Sequence, residues 1–163
     1  MHDLSLYLLE LLENSVRAGA GRVDIDLFMD RATDELRLAV DDDGHGLEAA
    51  PERVVDPFYT SKPGKKTGLG LSLLRAEAQA AAGDLSVGAS PTLGGARVEA
   101  HMQLGHVDRV PLGDLAASIA VTAVTSPDVE FTVTLRGDQF DPPLQRASPA
   151  AAAGRLAAER AVR

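Results

Sequence analysis

Apolar residues recur along the chain with two spacings, one typical of helices and one typical of strands. The first predicted helix places on one face Leu4, Leu8, Leu11, Leu12 and Val16. Its opposite stripe carries Asp3, Tyr7, Glu10, Asn14 and Arg17. Because a helix advances roughly 100° per residue, this spacing separates a packing face from a polar face. Gly19 and Gly21 then predict the end of the helix.

Strand-like alternation follows in several stretches, each of which predicts a strand with one buried face. The predicted strands cover residues 23–27, 36–40, 84–89, 96–104 and 129–135, and the predicted helices cover residues 48–55, 71–82 and 115–125. The segment Ser90-Pro91-Thr92-Leu93-Gly94-Gly95 has the glycines of a turn, so the strands on either side should form a hairpin. Residues 106–114 form a polar connector.

The carboxy-terminal residues differ in composition from the rest. From Pro142 onward the chain is rich in Pro, Ala, Arg and Ser. An alanine-rich helix at residues 150–162 is conceivable, but it lacks a strong apolar stripe with which to pack. We therefore expect one domain at residues 1–141 and a partly disordered tail at residues 142–163.

Composition excludes several classes of function. A chain of 163 residues suits a single core, and its net charge of -8 argues against nucleic acid as the main partner. With neither an apolar run of roughly 20 residues nor a signal peptide, we expect a cytoplasmic protein without a membrane span. Cysteine is absent, and four scattered histidines show no zinc-type spacing. Chemistry must come from carboxylates, amides, hydroxyls and the backbone.

Two polar features stand out against this background. Glu10 and Asn14 lie four residues apart on one helix stripe, as a hydrated cation and an attacking oxygen would require; an ordinary amphipathic surface helix explains them equally well. Asp42 continues the inward side of the strand at residues 36–40. A buried carboxylate needs a donor, which is either a bound ligand or the turn that it caps. Gly44 and Gly46 permit a tight turn or a close backbone approach.

A loop rich in glycine, hydroxyls and lysine precedes the helix at residues 71–82. It contains Phe58, Lys62, Thr67 and the run Gly68-Leu69-Gly70. Lysines and free N–H groups at a helix start favour phosphate binding, and a flexible loop with solvated lysines is the alternative. The P-loop pattern fails because Lys66 follows Gly64-Lys65, and the Rossmann pattern fails because no third glycine follows Gly70.

The ordered set of these features resembles the ATP-binding domain of the GHKL superfamily over about residues 10–104. The first box is most similar to the mismatch-repair form, and the segments at residues 56–62 and 67–72 are similar to the histidine-kinase form. The resemblance implies an α+β two-layer sandwich of the Bergerat type. Its mixed, mostly antiparallel sheet would be covered on one face by helices.

The resemblance also implies roles for individual residues, with ATP and Mg²⁺ as cofactors. Glu10 would be catalytic and would polarise the attacking water or acceptor, Asn14 would coordinate Mg²⁺, and Asp42 would accept a hydrogen bond from the adenine amine. The implied nucleotide-binding set is Asn14, Asp42, Gly44, Gly46, Phe58, Lys62, Thr67, Gly68, Leu69 and Gly70. The family often has Thr or Ser after the last glycine, where this chain has Ala96. One polar contact near the adenine is therefore missing or supplied elsewhere.

Few residues precede the first helix, so we expect no dimerisation domain with a phosphoacceptor histidine. The leading hypothesis is a standalone histidine-kinase-like protein that transfers phosphate to, or regulates, a separate partner protein. The alternatives are a non-catalytic ATP switch and an anti-sigma-type serine kinase. Residues 106–141 look like the extension of small standalone bacterial ATP-binding proteins, some associated with iron-only hydrogenase systems. Alternatively, they are a helix and a strand that extend the sheet edge.

Overall fold

The computed structural model describes residues 2–47, 49–56 and 69–162, which form five helices and six strands. In chain order they are α1 (Leu4–Arg17), β1 (Arg22–Asp30), β2 (Glu35–Asp42), α2 (Pro51–Val54), α3 (Leu69–Ala80), β3 (Asp84–Ala89), β4 (Ala96–Gln103), α4 (Leu115–Thr125), β5 (Glu130–Arg136), β6 (Leu144–Ala147) and α5 (Pro149–Val162). Four predicted site residues, Phe58, Lys62, Thr67 and Gly68, lie outside the described residues.

The strands form one sheet in the order β3-β4-β2-β1-β5-β6. Every neighbouring pair is antiparallel except β1 and β5, which are parallel. Alternate residues of β1, namely Val23, Ile25, Leu27 and Met29, are buried in the core together with the apolar face of α1. The predicted α+β fold with a mixed, mostly antiparallel sheet is confirmed.

The predicted elements agree with the structure in type, and their ends differ by a few residues. The hairpin of β3 and β4 is present, with Ser90 N–H donating to Gly95 O at 2.8 Å. β1 continues to Asp30, whereas the alternation was clear only to residue 27, and α3 begins at Leu69 rather than residue 71. The helix predicted at residues 48–55 is a single turn, Pro51–Val54.

The carboxy-terminal segment differs from the expected disordered tail. β6 pairs with β5, and α5 packs against α4 and β5. Ala152 is fully buried and Leu156 is 6 % exposed. These residues are four apart, so they lie next to each other on one narrow face of α5. Because alanine is small, α4 can approach this face closely, and the narrow face is enough to pack the helix. A wide apolar stripe is therefore unnecessary for this helix to pack.

The segment that follows β4 supports α1, the helix that carries the polar stripe. Leu4 N–H donates to Pro111 O at 2.8 Å and Ser5 N–H donates to Leu112 O at 3.0 Å, so the connector satisfies first-turn donors of α1. The Asp3 side chain caps the same turn by accepting from Leu6 N–H. β5 adds to β1 and extends the sheet on that side. Thus the extension holds the start of α1 through the connector and widens the sheet through β5.

Candidate functional site

The polar stripe of α1 is partly covered. Glu10 and Asn14 are half-buried, whereas Tyr7 is buried, and burial raises the pKa of its hydroxyl with further contributions from Glu77 and Glu10. The Asn14 Oδ1 atom accepts a hydrogen bond from Arg17 Nη1 at 3.3 Å. The stripe therefore presents a carboxylate, an amide oxygen and a guanidinium side by side at its carboxy-terminal half.

Asp42 lies at the end of β2 and is buried, as its position in the alternation predicts. Its Oδ1 accepts from Gly44 N–H at 3.0 Å and from Ala96 N–H at 3.1 Å, which fixes the turn and the start of β4. Its Oδ2 accepts from the Ser15 hydroxyl at 2.7 Å. The turn-capping alternative is thus realised through Oδ1, while Oδ2 faces α1.

Ser15 is the residue that sequence reasoning missed. It is 4 % exposed and lies on the packing side of α1, among leucines. The signal was available: a hydroxyl on the apolar face of a helix needs a partner, because burying it unpaired costs about 1–3 kcal/mol. The inward-facing Asp42 was the matching unpaired group. Ser15 also places a polar contact beside Asp42 where Ala96 offers only its backbone.

Two glycines, Gly44 and Gly95, permit close backbone contacts around Asp42, and a third, Gly46, has a backbone conformation that favours glycine. A Cβ on Gly44 would come within 2.7 Å of Ala18 O, so the close approach foreseen at this glycine is made to the end of α1. Gly46 has φ +86, which favours glycine. A Cβ on Gly95 would overlap Asp42, and Gly95 N–H donates to Asp42 O at 2.9 Å. Gly95 was not among the predicted site residues.

The next residue, Asp43, ties the same turn to β1. Its carboxylate accepts from the N–H groups of Arg22 and Gly21 at 2.9 and 2.8 Å. These two backbone donors, Arg22 first, lower the pKa of the Asp43 carboxyl. His45 N–H donates to Ala18 O at 3.0 Å, so the turn is joined both to the end of α1 and to the start of β1.

The start of α3 approaches the catalytic candidate on α1. A Cβ built on Gly70 would overlap Glu10 Oε2, so this glycine permits the two helices to meet. The first turn of a helix carries unpaired N–H groups and a partial positive charge. Glu10 therefore lies beside the helix start for which the sequence predicts phosphate binding. Leu69 begins this turn.

The described site residues thus collect around one helix. Helix α1 carries Glu10, Asn14 and Ser15. Ser15 contacts Asp42, Glu10 lies against Gly70, and Ala18, at the end of the helix, lies against Gly44. Within residues 2–47, 49–56 and 69–162 no group of three or more metal-binding side chains occurs. An oxygen-preferring cation would find the Asn14 amide oxygen here, so Mg²⁺ fits only as an ion that also takes water and phosphate ligands.

Comparisons with known proteins bear on the family and the fold of the chain. The family model described as histidine kinase-, DNA gyrase B- and HSP90-like ATPase matches residues 2–106, more than half of the chain. No curated protein sequence matches. Across the described part of the chain, no helix is long and apolar enough to cross a membrane.

Solved structures resemble the fold at low sequence identity. The amino-terminal domain of a DNA repair protein matches with TM-score 0.52 and 16 % identity, over 85 % of this chain and 50 % of that one. The mycobacterial sensor histidine kinase MprB matches with TM-score 0.48 and 25 % identity, over 60 % of this chain and 67 % of that one. The Aquifex aeolicus MutL ATPase domain, complexed with ADP, matches with TM-score 0.49 and 15 % identity, over 96 % of this chain and 69 % of that one. The chain spans half the length of the first of these.

Proposed function

The chain belongs to the family of histidine kinase-, DNA gyrase B- and HSP90-like ATPases, and from this membership we propose that it binds ATP with Mg²⁺ and transfers phosphate to, or regulates, a separate partner protein. The observation that carries the proposal is the convergence on α1. Its Ser15 meets Asp42, and its Glu10 meets the first turn of α3. Helix α1 therefore connects Asp42, the proposed acceptor for the adenine amine, to the start of α3, the proposed phosphate site.

Asp42 suits recognition of the adenine amine. Its Oδ1 is already held by two backbone N–H groups, and its Oδ2 is oriented by Ser15. A carboxylate oxygen accepts more than one hydrogen bond, so Oδ2 retains acceptor capacity for an exocyclic amine. A base with a carbonyl oxygen in place of the exocyclic amine would set that oxygen against the negatively charged Oδ2 of Asp42, and the two would repel each other. This arrangement favours adenine over guanine.

Asn14 and Glu10 suit the phosphate end. Bound Mg²⁺ would supply charge neutralisation between phosphate oxygens, and Asn14 offers it an oxygen ligand. The Arg17 guanidinium beside Asn14 adds positive charge in a chain whose net charge is -8. Glu10 is positioned to orient a nucleophile, either water or an acceptor side chain of the partner. Catalysis would then consist of positioning and electrostatic stabilisation.

Calorimetric titration with ATP, with and without Mg²⁺, tests binding first. Asp42→Asn should abolish the heat of ATP binding. The N–H groups of Gly44 and Ala96 would keep the amide oxygen at the Oδ1 position, so the NH2 group would face the adenine amine, which is also a donor. Glu10→Ala should leave binding within a few-fold of the unchanged chain. If the unchanged chain gives no heat with ATP, the proposal is wrong.

Labelled ATP, Mg²⁺ and cell extract separate the outcomes beyond binding. Phosphate transfer predicts a labelled protein that is lost with Glu10→Ala. Hydrolysis without any labelled protein would contradict the kinase hypothesis. Binding without either reaction, with partner recognition intact in Glu10→Ala and absent in Asp42→Asn, would identify the non-catalytic switch.

A further inference from the structure

Helix α4 buries two hydroxyls beside its core residues Leu115 and Ile119, and it exposes small apolar residues on the opposite side. Ser118 and Thr122 face inward: the Ser118 hydroxyl donates to Ser5 O at 2.6 Å, and the Thr122 hydroxyl donates to Ser118 O at 2.9 Å. The outward side, here named the α4 stripe, consists of Ala117, Ala120, Val121 and Val124. The stripe has the spacing of one helix face, and Val121 and Val124 are 53 % and 78 % exposed.

A groove of about 260 Å³ between α1 and α4 adjoins this stripe. Its apolar wall is formed by Leu9, Val16 and Val121. Glu13 and Arg17 of α1 also line it. The stripe and the groove together form a largely apolar surface, with the hydroxyls of Thr122, Thr125 and Ser126 in the groove and two charged residues along one side. Contiguous apolar surface of this kind is typical of interaction sites.

The charges on this surface are complementary to those on the same surface of a second copy of the chain. Residues 115–125 include no charged side chain, although the chain as a whole has a net charge of -8. Glu13 and Arg17 are exposed, carry opposite charges and lie one turn apart. Within residues 2–47, 49–56 and 69–162, neither forms an ion pair, although Arg17 Nη1 donates to Asn14 Oδ1. A twofold axis beside α4 would bring Glu13 of one chain toward Arg17 of the partner subunit, and the reverse.

We propose that the α4 stripe and the adjoining groove pair with the same surface of a second copy of this chain in a twofold dimer. The stripe meets itself without like-charge repulsion, and the two α1 helices supply two equivalent ion pairs. Eleven residues of helix extend about 16 Å, so the interface is small. Interfaces below about 1,200 Å² are typically weak. The dimer should therefore dissociate on dilution, with a micromolar or weaker constant.

Sedimentation velocity without nucleotide tests this association from low to high micromolar concentration. The unchanged chain should shift from monomer to dimer across that range. Val124→Glu should remain monomeric, because it places a carboxylate in the centre of the apolar contact. The matched control is Val107→Glu, since Val107 is 94 % exposed but lies in the connector before α4. The control should dimerise as the unchanged chain does.

A charge-reversal experiment tests the proposed geometry independently of the stripe. Glu13→Arg and Arg17→Glu should each weaken self-association at least several-fold, because like charges would then face each other. An equimolar mixture of the two variants should form a heterodimer at least as well as the unchanged chain dimerises. Three results would overturn the proposal. The unchanged chain could remain monomeric at every concentration, Val124→Glu and Val107→Glu could dimerise to the same extent, or the mixture of charge variants could form no heterodimer. A surface that binds only a different protein would give the first of these results.

Discussion

At the scale of single residues, the site depends on how one buried carboxylate is satisfied. Asp42 is 4 % exposed and receives one hydroxyl and two backbone donors. An ionised carboxylate removed from water without such partners would be too costly to keep. The backbone donors hold Oδ1 in the turn, so the orientation of Oδ2 depends on Ser15 alone among the described side chains. If Asp42 binds adenine as proposed, Ser15 is the residue that positions its Oδ2 atom.

We expect Ser15→Ala to weaken ATP binding about tenfold, which corresponds to about 1.4 kcal/mol. The reason is that Oδ2 loses the donor that orients it, while Asp42 itself remains. Calorimetric titration with ATP measures the change. Ser118→Ala is the control, because it removes another buried serine donor from a helix outside the site. Equal ATP affinity of the two variants would contradict the role of Ser15.

At the scale of elements, the site requires α3 to approach the Glu10 side chain of α1 without a side chain of its own at the contact. Gly70 stands in the first turn of α3, where a Cβ would overlap the Glu10 carboxylate. Glycine inside a helix ordinarily costs about 0.5–1 kcal/mol relative to alanine. Its presence here is explained by the contact with Glu10, because the same position without that contact would favour alanine.

Two glycine substitutions separate these effects. Gly70→Ala should displace Glu10 or the start of α3 and lower ATP turnover or binding several-fold. Gly154→Ala in α5 should instead stabilise the protein by about 0.5–1 kcal/mol, because a Cβ there meets nothing within 4 Å. Thermal unfolding and ATP titration of both variants make the comparison. If Gly70→Ala also stabilises the chain and leaves nucleotide binding unchanged, the contact has no functional importance.

The sequence predicted element types well because most elements have a clear period. The inward position of Asp42 followed from the alternation of β2, and the polar stripe of α1 followed from its helical spacing. What the pattern could not predict are contacts between distant segments. The approach of Gly95 to Asp42 and the packing of α5 both depend on where other elements lie. Alternation within a segment contains no information about such pairs.

At the scale of the whole molecule, the extension after β4 is fastened to the family core at several places. The parallel pairing of β5 with β1 is one, and the connector bonded to the first turn of α1 is another. A third joins the β5–β6 turn to the β1–β2 turn. There the Asp138 carboxylate accepts from the N–H groups of Arg31 and Ala32 at 2.8 and 3.1 Å.

The third junction should depend on pH. The pKa of the Asp138 carboxyl is lowered from 3.8 to about 2. The main cause is the hydrogen bond from the backbone N–H of Arg31, followed by the hydrogen bond from the Gln139 side chain. Because the folded pKa lies below the unfolded one, its stabilisation is present above about pH 4 and is lost as the pH falls towards 2. Asp138→Asn should therefore lower Tm at neutral pH, and the difference from the unchanged chain should shrink across this window. Asp128→Asn, in another exposed turn, is the control. A difference that stays constant down to pH 2 would contradict the assignment.

The packing of α5 gives the last prediction, because it decides whether the carboxy-terminal segment belongs to the folded unit. Leu156 is 6 % exposed and lies one turn after the fully buried Ala152. Leu156→Ala should reduce the free energy of unfolding by about 2–4 kcal/mol, as truncation of buried leucines does. Leu73→Ala in α3, where the side chain is 39 % exposed, should cost much less. Denaturant unfolding of both variants measures the difference. A disordered tail would make the substitution at residue 156 silent, and the extension would then end at β5.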